Sequence, residues 1–80
     1  MNELVRSQPV GQGFTVELTR EVVNDIERYR VRIQDGQDDT FIECGQSLFR
    51  GDAERDFTYA VDEARMYAED RRLEMMRQGE

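Results

Sequence analysis

Histidine, lysine and tryptophan are absent from this 80-residue chain, and cysteine and proline occur once each. Without histidine the chain lacks the commonest general base at neutral pH and the commonest zinc ligand. A single cysteine, Cys44, excludes an intrachain disulfide and a thiolate metal cluster, and with them a disulfide-stapled secreted domain. No apolar run nears the roughly 18–20 residues that a membrane helix needs, and residues 1–13 lack the basic start and apolar centre of a secretion signal. At this length only about 60% of the unfolded surface can be buried, which leaves little room for a catalytic cleft beside a core. The expectation is a cytoplasmic, non-enzymatic protein with no cofactor, no metal and no membrane contact.

Acid, by contrast, is abundant. Eighteen Asp and Glu face eleven basic residues, all of them arginine, for a net charge of −7. A field of that sign repels phosphate backbones and favours basic partners, which argues against direct nucleic-acid binding.

Along the chain, Pro9, Gly11 and Gly13 punctuate a segment of few apolar positions, so residues 1–13 are expected as an extended arm. From Phe14 the pattern alternates strictly, with Phe14, Val16 and Leu18 on one face, as in a half-buried strand. Tyr29, Val31 and Ile33 alternate again, opposite Arg28, Arg30 and Arg32. Asn24-Asp25 between them signals a hairpin turn, with a short helical turn over 20–27 as the competing reading. Asp35-Gly36 opens a further turn, leading to a strand over about 40–44 that buries Ile42 and Cys44 or Phe41. After Gly45 the period becomes helical: Phe57, Ala60, Val61, Ala64 and Ala68 share a face of a helix over about 52–77, with Asp52 as N-cap. The expected fold is therefore α+β, a three-stranded antiparallel sheet with one long C-terminal helix on one face (β-β-β-α), built from residues 14–80 as a single small domain.

Placed at 100° intervals, the helix residues fall on three faces. Opposite the core, Tyr59, Met66 and Leu73 recur every seven residues with Met76 nearby. The arm, a second copy or another protein could cover this stripe, and Asp62 and Glu69 would form its polar rim. One flank carries Asp56, Glu63, Asp70 and Glu74 within a narrow arc, and Asp35, Asp38 and Asp39 form a second acidic cluster in the turn. These acids serve either as a solvating face or as a ridge of carboxylates facing a partner's arginines and lysines. The turn lacks the oxygen-ligand offsets of an EF-hand calcium loop.

The row Arg28, Arg30, Arg32 has cross-strand carboxylates such as Glu17 and Glu43 as natural partners. A nucleic-acid platform is the alternative reading, but no aromatic shares the face of these arginines along the strand, Tyr29 falling on the opposite one. Cys44 reads as a small buried hydrophobe, since neither histidine nor lysine is present to activate its thiol.

A lone acidic domain with Asp56, Glu63, Asp70 and Glu74 on one helix flank resembles the small acidic phage-encoded anti-CRISPR proteins that inhibit type I effector complexes (Cascade). The resemblance is one of type and rests on no motif. It implies a non-enzymatic inhibitor, acting in the bacterial host cell as a monomer or weak homodimer. Its acidic, DNA-mimicking surface would occupy the basic surface on which the ribonucleoprotein receives target DNA. The competing reading is a small dimeric antitoxin-like or regulatory domain joined through Tyr59, Met66 and Leu73.

Overall fold

A computed structural model describes residues 2–79. Four strands, β1 (Asn2–Gly11), β2 (Phe14–Val23), β3 (Ile26–Asp35) and β4 (Thr40–Ser47), precede one helix, α1 (Arg50–Gln78). The sheet is an antiparallel meander of order β1-β2-β3-β4, with α1 laid across one face. The α+β class and the C-terminal helix match expectation; the strand count is four rather than three.

The additional strand is the segment expected as an arm. Residues 2–11 pair with β2 along their length, from Asn2 opposite Glu21 to Gly11 opposite Phe14. Their alternation is hidden because the register shifts twice, between Leu4 and Arg6 and between Pro9 and Gly11. Each shift changes which face the next side chain takes, so the apolar residues no longer alternate. Pro9 is tolerated because β1 is an edge strand, where a missing N–H breaks no ladder. Residues 1 and 80 of the expected arm and domain lie outside the described residues.

Two-residue loops close the first two hairpins. Gln12-Gly13 and Asn24-Asp25 both take positive φ at both positions (56° and 86°, 53° and 65°), as a type I′ turn requires. The Asn24-Asp25 hairpin is as expected, and no helical turn intervenes. β4 runs on to Ser47, and both Phe41 and Ile42 remain partly exposed. A register shift between Val31 and Arg32 makes Cys44 the extra residue of a bulge, half-buried against the core.

The core is small and asymmetric. The sheet contributes Phe14, Val16, Leu18, Tyr29, Val31 and Ile33; the helix adds one large side chain, Phe57, together with Val61 and four alanines. Those alanines (53, 60, 64, 68) let α1 lie close to the strands. Arg6 of β1 covers this core from the side, with its guanidinium 4.5 Å over the Phe57 ring and 3.1 Å from Glu54. The helix begins two residues before the expected Asp52 cap. Phe49 occupies the N-cap, its carbonyl accepting from the Ala53 N–H, and Asp52 lies in the first turn, where a negative charge meets the helix dipole favourably.

Helix and sheet differ in length. Twenty-nine helical residues span about 43 Å at 1.5 Å rise, whereas ten-residue strands span about 33 Å. Past Arg71 every described helix residue is exposed. Met75 shows the overhang directly: it continues the phase of Phe57, Ala64 and Ala68, yet it is 56% exposed.

Candidate interaction surface on the helix

The outer stripe is uncovered. Tyr59, Met66 and Leu73 are 67%, 66% and 42% exposed, and Met75 and Met76 extend the apolar surface around the overhang. With residues 2–11 committed to the sheet edge, the arm does not fold over the stripe, which removes one of its three expected occupants. The rim residues form short-range pairs, Arg72 to Glu69 at 2.6 Å and Arg65 to Asp62 at 3.8 Å.

The seven acids expected as a helix flank and a turn cluster divide into three groups. Asp35 leaves the surface altogether. It is buried at the end of β3 and bound by both terminal nitrogens of Arg71, at 2.9 and 2.6 Å. Its Oδ1 also accepts from the backbone N–H groups of Gln37 and Asp38, at 3.1 and 3.4 Å. The Arg71 hydrogen bonds and these N–H groups outweigh burial and hold the Asp35 carboxyl down to about 2. It is a structural anchor, and its place in the candidate surface is corrected accordingly.

Asp56 and Glu63 are engaged within the fold. Asp56 is half-buried against β4, close enough that a Cβ at Gly45 would lie 2.5 Å from its Oδ2. Glu63 accepts a 2.6 Å hydrogen bond from the Tyr67 hydroxyl and approaches the Cys44 sulfur at 4.0 Å. That bond raises the Tyr67 pKa, and burial together with Glu63 raises that of the Cys44 thiol.

Asp38, Asp39, Asp70 and Glu74 remain exposed, and the fold gathers charge where the sequence left it in two separate clusters. Asp38 in the β3–β4 turn and Glu74 on the helix both lie close enough to raise the pKa of Arg71, after Asp35 itself. Asp70 and Glu74 line a shallow depression with Leu73 and Arg77, beside the end of the apolar stripe. Carboxylates, an apolar stripe and an unpaired helix end thus share one end of the molecule.

No protein-family model, curated protein or solved structure matches this chain. Arg71, which organises this end, carries no signal in the sequence beyond its place on the core phase after Ala64 and Ala68. Among the described residues no group of three His, Cys, Asp or Glu is placed to hold a metal ion. No helix among them is long and apolar enough to cross a membrane.

Proposed function

We infer that the protein is a non-enzymatic binding protein that docks the outer face of α1 on a basic protein surface. What supports this reading is one helix face on which the exposed apolar residues Tyr59, Met66 and Leu73 border the exposed acids Asp70 and Glu74. The apolar stripe supplies area to bury, and the acids supply attraction and orientation toward Arg and Lys. Acids on an exposed convex helix suit recognition better than acid–base catalysis, which needs a site that excludes water.

The resemblance to anti-CRISPR proteins makes a type I Cascade the first partner to assay, with occlusion of its DNA-binding surface as the mode of inhibition. The test is a gel shift of a purified type I effector complex on target DNA, with and without this protein, across a salt series. Loss of the DNA shift at low salt, restored by Asp70→Arg/Glu74→Arg, is the expected result. An unchanged DNA shift, with no retention of the protein on the complex, eliminates that partner.

A second reading, the dimeric regulatory domain, draws on the overhang. Leu73, Met75 and Met76 surround it, and residues 72–78 carry two arginines and one glutamate, so two copies would not repel there as they would elsewhere. Sedimentation over a concentration series decides it: a dimer lost in Met66→Asp supports the reading, and a monomer at all concentrations ends it.

A further inference from the structure

The sheet face opposite α1 carries the arginine row, and the fold adds to it an aromatic that β3 itself does not place on that face. Arg28, Arg30 and Arg32 point away from the helix at steps of about 6.7 Å, the two-residue repeat of a strand. Together with Thr19, Asn2 and Glu21 they line a depression of about 90 Å3, large enough to seat one tetrahedral oxyanion. Phe41, delivered by β4, holds the Arg32 guanidinium over its ring, 4.0 Å from the centroid.

These arginines are under-used within the fold. Among the described residues Arg28 and Arg32 form no ion pair, and Arg30 has a single long one, 3.7 Å to Glu43. Glu17 and Glu21 stand opposite Arg32 and Arg28 in the β2–β3 register, yet neither pairs with them within 4.0 Å. The Nε of Arg32 is buried with no acceptor. The −7 net charge bears less on this face than its size suggests. The outer acids of α1 lie beyond the helix, at least about 10 Å away, which is about one Debye length at 0.1 M salt.

We propose that this depression binds the phosphate group of a small phosphorylated ligand through Arg28, Arg30 and Arg32. Guanidinium groups offer paired N–H donors that match phosphate oxygens, and Phe41 keeps one of the three in place before the ligand arrives. Glu21, on the wall of the same depression, opposes anion entry and so sets a modest affinity. The site lies on the opposite face from the proposed docking helix, so either assignment can fail without the other.

The test follows the arginine side-chain N–H resonances of the full chain by NMR during titration with inorganic phosphate and, separately, adenosine monophosphate. The expected result is a saturable shift of Arg28, Arg30 and Arg32, about tenfold weaker binding in Arg30→Gln, and tighter binding in Glu21→Gln. Arg28→Gln, at an exposed position, serves as the second variant should Arg30→Gln fail to fold. Tighter binding of the nucleotide than of phosphate identifies the ligand class as nucleotides; equal binding confines recognition to the oxyanion. Shifts that grow linearly without saturation, or that persist unchanged in both arginine variants, overturn the proposal.

Discussion

Arg71 holds Asp35 through two parallel hydrogen bonds, 2.9 and 2.6 Å long, while its guanidinium lies 4.2 Å above the ring of Phe14. The same Nη1 donates to the carbonyl of Gln12 at 2.9 Å. One side chain thus ties the helix to the β1–β2 and β3–β4 turns, at the point where the sheet ends and the helix continues alone.

Acid should loosen this end first. The Asp35 carboxyl sits near 2 in the folded protein, below its ordinary value of 3.8, so the unfolded chain protonates before the folded one. The stability contributed by the pair is complete above about pH 4 and is lost as pH falls toward 2. Urea denaturation between pH 2 and 7 is expected to show this loss, and Asp35→Asn should be less stable at pH 7 while losing less on acidification.

Gly45 tests the seat of Asp56. Gly45→Ala brings a methyl group within 2.5 Å of Asp56 Oδ2, which forces the carboxylate aside at a cost of about 1 kcal/mol. Adding Asp56→Ala removes the obstructing oxygen, and the double variant should recover most of the loss in a denaturant titration.

The two helix faces should respond oppositely to charge. Val61 is buried between helix and sheet, so Val61→Asp places an unpaired charge in a core of twelve residues and should cost about 4 kcal/mol or more, enough to unfold a small domain. Asp70 is exposed, and Asp70→Arg should change stability by less than about 0.5 kcal/mol. Circular-dichroism melts of the two variants check both outcomes.

Cys44 should be a slow thiol. Burial and the Glu63 and Glu43 carboxylates raise its pKa, which lowers the thiolate fraction at pH 8. Its reaction with a disulfide reagent should be slower than that of a free thiol, and Glu63→Gln should speed it without changing the melting temperature appreciably. Equal rates in the two proteins would remove Glu63 as a cause.

Local pattern was sufficient for the β2–β3 hairpin and for the inner face of α1. Phe14, Val16, Leu18, Tyr29, Val31 and Ile33 alternate without interruption, Asn24-Asp25 tolerates the positive φ angles of the turn, and the helical spacing from Phe57 to Ala68 carries no Gly or Pro. The outer stripe was visible for the same reason, since its period of seven is nearly two helical turns. Strand β1 escaped because its two register shifts fall at Val5 and Val10, so the two residues that pack against the core stand five apart, a spacing that simple alternation puts on opposite faces, while Leu4 stays exposed.

Residue type, spacing and charge balance therefore determined on their own the α+β class, the helix and its faces, and the acidity of the whole. Tertiary structure alone decided which acids are free. Asp35 and Arg71 meet across 36 residues, and Asp56 finds β4 only after the chain has turned back on itself. It also brought Phe41 from a neighbouring strand to Arg32, a contact between partners that local spacing does not place together. Local periodicity reports which face a side chain takes within its own element, whereas the partner on that face is set by how elements pack, through contacts distant in sequence.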